Sequence, residues 1–170
     1  MVDENVHASY YEKMTEHLFI SDILETAWLN GEIQIEIARA EIDNSGYDII
    51  LEAENIIRHV QLKSSNENAT TAKQNVNVKL GEKPSGCVIW IKRGIKQGTN
   101  KFSLRYYFFG ADAGAKLPSL EEYKTAKHTR GNASGEKKER PNIKEIPKKK
   151  FIEITDSKDL LNKLFNLNIK

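Results

Sequence analysis

A chain of 170 residues, 39% hydrophobic and 29% charged, is long enough for one domain with a real core. No run approaches the roughly 18 apolar residues of a membrane span. The start, MVDENVHASYYEK, is too acidic and polar for a secretory leader, and the single cysteine, Cys87, sits in the apolar run GCVIWI as a small hydrophobe. These features predict a cytoplasmic protein. The net charge of +2 hides an asymmetry: residues 1–60 carry 13 acidic and 3 basic side chains, and residues 61–170 carry 11 acidic and 23 basic ones. Carboxylates on one side and a polyanion-binding surface on the other would give such a split.

Taken in order, residues 10–30 have a helical period. Glu12, Glu16, Phe19, Ile20, Ile23, Leu24, Ala27 and Trp28 recur at three- and four-residue spacing, and Asn30-Gly31 is a stop. Glu16 continues the apolar stripe, whereas Glu25 lies roughly opposite it. GEIQIEIARAEI alternates, with Ile33, Ile35 and Ile37 on one face, as a half-exposed strand does. Residues 43–46 read as a turn. Residues 47–53 and 56–63 then form a hairpin about Glu54-Asn55, an Asn-containing tight turn. Residues 64–71 are loop-like. Ala72, Val76 and Leu80 have the spacing of a short helix ending at Gly81. CVIWIK and FSLRYYFFG are strands, RGIKQGTNK connects them, and residues 120–128 are a candidate helix. Residues 129–150 are Lys-rich and contain Gly and Pro, so they read as a basic polar loop. FIEI is a brief strand, and Ser157 or Asp156 caps a last helix through Leu160, Leu161, Leu164 and Phe165. The predicted fold is α/β, a central mixed sheet flanked by helices. Residues 1–128 form its core, 129–150 the basic loop, and 151–170 a strand and helix packing back on that core.

The hairpin carries the chemistry. A two-residue turn at Glu54-Asn55 pairs Ala53 with Ile56 and sets Asp48 directly across from Gln61. Directly opposed side chains share a face with Cβ atoms about 4.5–5.5 Å apart, and Lys63 lies on that face too. Phosphodiester hydrolysis needs a hard cation held by oxygen ligands, a water it can acidify, and a positive charge near the phosphate. Asp48 is the main candidate ligand, the Gln61 amide oxygen a neutral one, and the Leu62 carbonyl a further one. Lys63 is the candidate cation and Glu16 the third contributor. The ion would be Mg²⁺ or Mn²⁺.

This arrangement resembles the PD-(D/E)XK (restriction-endonuclease-like) nuclease superfamily over residues 10–109. The spacing Asp43-x-x-Gly46-Tyr47-Asp48, then Val60-Gln61-Leu62-Lys63-Ser64, is similar to its Q-x-K, Mrr-like branch. Tyr47 stands where the motif has Pro, and Gln61 where an acid is usual. The resemblance implies a restriction-endonuclease-like core, a metal-dependent DNA endonuclease acting in restriction, defence or repair, and catalytic and metal-binding roles for Asp48, Gln61, Lys63 and Glu16. A homodimer would let both DNA strands be cut. Two other readings stay open: a catalytically weak or inactive nucleic-acid-binding or assembly module on the same fold, and a salt bridge between Asp48 and Lys63.

Residues 121–150 hold 10 Lys or Arg against 5 Glu, a pattern for phosphate contacts without sequence reading. Lys137, Lys138, Arg140, Lys148, Lys149 and Lys150 are the candidates there. Lys92 and Arg93, with Lys96, read as a second basic loop. His17 and His59 have no partner pattern. No Cys/His cluster supports zinc, and no G-x-x-x-x-G-K-[ST] supports a nucleotide cofactor.

Overall fold

The computed structural model describes residues 7–40, 45–131 and 135–169. The first periodic stretch forms helix α1 (Ala8–Leu29), which buries Thr15, Glu16, Phe19, Ile23 and Ala27 along one stripe. Leu24 and Trp28, expected on that stripe, are instead exposed. The helix stops where predicted. The Asn30 side chain donates back to the Thr26 carbonyl at 2.8 Å, and the chain turns through positive φ at Glu32.

The alternating stretch is a strand only over β1 (Glu36–Arg39), although Ile33, Ile35 and Ile37 all pack on the core as alternation predicts. Residues 43 and 44 of the expected turn lie outside the described residues. Gly46 has φ +80°, and a Cβ there would meet the Leu80 backbone nitrogen at 3.0 Å, so the position needs glycine. The hairpin is β2 (Ile49–Ala53) and β3 (Ile56–Asn66). Glu54 and Asn55 both take positive φ, as a two-residue type I′ turn requires. Ala53 faces Ile56 and the register runs unbroken to Ile49 opposite Val60.

After β3 the chain departs from its predicted course. Residues expected to form a helix at 72–80 make strand β4 (Lys73–Asn77) and a 3-10 turn (Val78–Glu82). Val76 and Leu80 are both buried, so the spacing reported burial correctly and helix wrongly. Two long strands follow, β5 (Gly86–Ile95) and β6 (Phe102–Gly110). The candidate helix at 120–128 is a turn leading into β7 (Thr125–Lys127). The predicted basic loop is β8 (Glu139–Pro147) with a 3-10 turn at Lys148–Lys150. Strand β9 (Ile152–Ile154) and helix α2 (Ser157–Phe165) close the chain, and the Asp156 carboxylate caps the helix by accepting from the Asp159 N–H at 2.9 Å.

The architecture is α/β. A mixed six-stranded sheet has the order β1-β2-β3-β5-β6-β9, and a separate three-stranded sheet has the order β4-β8-β7. Among the described strands, only β3 and β5 run parallel. Their crossover is built from β4 and a 3-10 turn, where an α-helix is usual.

Strand β5 is apolar nearly throughout because both its faces are covered. Cys87, Ile89 and Ile91 point into a core shared with α1 and α2, while Val88 and Trp90 point into a second core under the small sheet. The expected flanking by helices therefore holds on one face alone. Arg58, fully buried in β3, ties α2 to the sheet. Its guanidinium donates to the carbonyls of Leu164 (2.8 Å), Lys163 (3.0 Å) and Ala111 (3.2 Å). Two of these are end carbonyls of α2, which have no acceptor role left inside the helix. No helix among the described residues is long and apolar enough to cross a membrane.

Candidate active-site cleft

Strand β3 outruns its partner. Its last pair with β2 is at Val60, but it continues to Asn66, bonded from His59 onward to β5 on the other side. Among the described residues, no strand covers this edge of residues 61–66. A cleft of about 760 Å³ opens there between α1 and the start of β4. Its lining includes Glu12, Lys13, Glu16, Asp48, Leu62, Lys63, Lys73, Gln74 and Asn75.

The register prediction holds up to the site and then changes. Asp48 does not pair with Gln61. Its N–H donates to the Val60 carbonyl at 2.9 Å, so Asp48 shares Val60 with Ile49, and its Oδ2 accepts from the Leu62 N–H at 2.6 Å. A ladder irregularity of this kind re-aims a side chain. In an extended strand a residue's N–H and C=O point to the same side, so the Leu62 carbonyl is directed to the uncovered edge with its N–H.

Gln61 is placed differently. It is 8% exposed, its Oε1 accepts from the Asn77 N–H at 3.3 Å, and it is not among the cleft-lining residues. It joins β3 to the small sheet. The predicted opposition of Asp48 and Gln61 is therefore corrected: Asp48, Leu62, Lys63 and Glu16 line the cleft, and Gln61, on the same strand face as Lys63, lies against Asn77 outside that lining.

Glu16 reaches the cleft from the buried stripe of α1. Lys13 Nζ lies 2.8 Å from Oε2 and Arg39 Nε lies 2.9 Å from Oε1. Burial pushes this carboxyl up, but the two cations outweigh it and hold the group below its ordinary value of 4.5. Glu16 is thus ionised at neutral pH and already balanced by two positive charges. Lys13, three residues away on the same helix face, was a visible partner. Arg39, on β1, had no sequence signal, and neither did the approach of residues 71–75.

The candidate nucleic-acid residues divide. Lys92 and Arg93 are not in a loop. Both lie in β5, 8% and 4% exposed. Arg93 donates to Thr15 Oγ1 at 2.9 Å and stacks 4.4 Å over the Tyr11 ring, which locks α1 to the sheet. Lys92 Nζ donates to the carbonyls of Glu67 (3.3 Å) and Ala69 (3.2 Å). Lys137, Lys138, Arg140, Lys148, Lys149 and Lys150 are all exposed, at opposite ends of β8. His59 Nδ1 donates to the Pro84 carbonyl, 2.8 Å away, and the ring packs edge-on to Tyr47, a structural placement.

Among the described residues, no group of three or more His, Cys, Asp or Glu side chains is close enough to hold a metal. The oxygen donors among the residues lining the cleft include the Asp48 and Glu16 carboxylates and the Leu62 carbonyl. That set is hard, and it meets the demand of Mg²⁺ for one or two carboxylates with water completing the shell. No protein-family model, curated protein or solved structure matches the chain.

Proposed function

We propose that the protein is a metal-dependent DNA endonuclease with a restriction-endonuclease-like core, related to the Q-x-K, Mrr-like branch of the PD-(D/E)XK superfamily. One observation carries the reading: an uncovered strand edge gathers an acid, a main-chain carbonyl and a lysine from the motif, opposite a helix-borne glutamate, in one open cleft. Asp48, the Leu62 carbonyl and Glu16 would hold Mg²⁺ or Mn²⁺. When bound, that cation supplies a Lewis acid for a phosphate oxygen and an acidified water. Asp48 is oriented by the Leu62 N–H. Lys63 brings positive charge to the phosphate that lies in the cleft. Lys13 and Arg39 hold Glu16 in place, and Gln61 fixes the wall through Asn77 rather than serving as a ligand.

A second reading is a nucleic-acid-binding or assembly module on the same fold. It is favoured by the full engagement of Glu16 with two cations and of the Gln61 oxygen with a main-chain N–H. Supercoiled plasmid incubated with Mg²⁺ or Mn²⁺ separates the two. The endonuclease reading expects nicked and linear products from the wild type and intact plasmid with Asp48→Ala or Lys63→Ala. Intact plasmid with all three, alongside salt-sensitive DNA binding by all three, selects the binding module.

A further inference from the structure

A second depression, of about 410 Å³, adjoins the cleft. The two share Thr71 and Ala72 as a common wall, and the second is lined also by Thr70, Lys92, Lys148 and Lys149. Three lysines therefore line one hollow, and the Lys148 Nζ lies 5.1 Å from the Tyr107 ring centroid. Lys92 forms its inner side. Its Nζ is held by two carbonyls and lies 5.6 Å from the Trp90 ring centroid. Among the described residues it has no carboxylate within ion-pair distance. An ammonium has three N–H donors and no acceptor, so two carbonyls leave both its charge and one donor to be matched. Lys148 is fixed beside it, its backbone N–H donating to the Ala72 carbonyl at 2.8 Å. Lys150, two residues further on, instead turns to Glu122 at 3.7 Å.

We infer that this depression is a phosphate subsite, in which Lys92, Lys148 and Lys149 hold a backbone phosphate of the nucleic-acid strand whose neighbouring linkage lies in the cleft. The inference rests on the cleft being a nucleic-acid site and adds where the strand runs next. It passes over Thr71 and Ala72 toward the Pro147 end of β8. Lys137, Lys138 and Arg140 stand at the other end. Seven residues of strand separate Arg140 from Pro147, about 23 Å, so a short nucleic acid seated in the cleft does not reach them.

The test is binding of a fluorescent DNA hairpin with a stem of about six base pairs, about 20 Å long. Anisotropy is followed against salt, in EDTA so that nothing is cut. Each phosphate contact adds about 0.9 to the salt slope on duplex DNA. Lys148→Ala with Lys149→Ala should lower the slope by about 0.9, so that affinity falls about 3.5-fold less than the wild type's between about 50 and 200 mM salt. Lys148→Arg with Lys149→Arg should restore the slope, and Lys137→Ala with Lys138→Ala should leave it unchanged. A wild-type slope in the 148/149 alanine pair overturns the subsite, as does an equal loss in the 137/138 pair. Lysine-dependent binding to phosphatidylserine vesicles without DNA binding also overturns it. Cleavage is read separately. A chain that binds with the expected slopes but leaves plasmid intact keeps the subsite and loses the nuclease reading, and a chain that cuts with unaltered slopes does the reverse.

Discussion

Replacing Asp48 separates its two roles. Its Oδ2 accepts from the Leu62 N–H at 2.6 Å, a short bond to a charged acceptor. Such bonds contribute about 1.5–3 kcal/mol, and a neutral acceptor contributes about 0.5–1.5 kcal/mol. Asp48 is only half-buried and water can reach the cleft, so the lower end of the charged range applies. Asp48→Ala, which removes the acceptor, should cost about 1.5 kcal/mol. Asp48→Asn keeps an oxygen that can accept from Leu62 and should cost about 0.5–1 kcal/mol. The effect on cleavage should not follow this order. Loss of groups that merely support a metal ligand costs about 10- to 100-fold, so loss of the ligand's own charge should cost at least about a hundredfold in both variants. Urea unfolding with an unchanged slope measures the first quantity, and initial nicking rates measure the second. An Asp48→Asn protein that nicks at the wild-type rate would refute the reasoning and leave Asp48 as a cap on a strand edge.

Three further expectations concern the groups around the site. Glu16 has its carboxyl held low by Lys13 and Arg39 against the opposing effect of burial. A depressed acid stabilises the fold above its unfolded pKa and ceases to as pH falls through its folded value. The urea midpoint of the wild type should therefore fall further than that of Glu16→Gln between about pH 6 and pH 3, and parallel curves would contradict the pairing. Arg58→Met should leave the Leu164, Lys163 and Ala111 carbonyls without their donor, costing at least about 3 kcal/mol by denaturant unfolding. A loss below about 1 kcal/mol would show that the guanidinium is not what holds α2. Cys87 is fully buried and its thiol is pushed up to about 12 by that burial. A thiol reagent should label it only at the rate of unfolding, and fast labelling in native buffer would contradict its placement.

Local physics made the hairpin legible. Glu54-Asn55 dictated a two-residue turn, and the turn dictated pairing as far as Val60. The site's last step was not legible, because Asp48 doubling on Val60 is a choice between two hydrogen-bond patterns that the same sequence permits. Period 3.6 found α1 and picked out Glu16, but at Val76 and Leu80 the same spacing fitted a strand followed by a 3-10 turn. Strand β8 was hidden for a different reason. Its one fully buried side chain is Ile146, so ladder bonds to β4 and β7, and not apolar alternation, hold it in place. The buried cations Lys92 and Arg93 looked like surface charge since their partners, Thr15 and the carbonyls of 67 and 69, are distant in sequence.

The central claim is that the uncovered edge of β3 is where a phosphodiester is hydrolysed. Single-turnover cleavage of a labelled duplex in Mg²⁺, comparing the wild type with Lys63→Ala, tests it most directly. With Lys63 supplying charge to the phosphate as proposed, the alanine variant should bind the duplex and cleave at least about a hundredfold more slowly. Equal cleavage by the two proteins, or no cleavage by the wild type in Mg²⁺ or Mn²⁺, would contradict it.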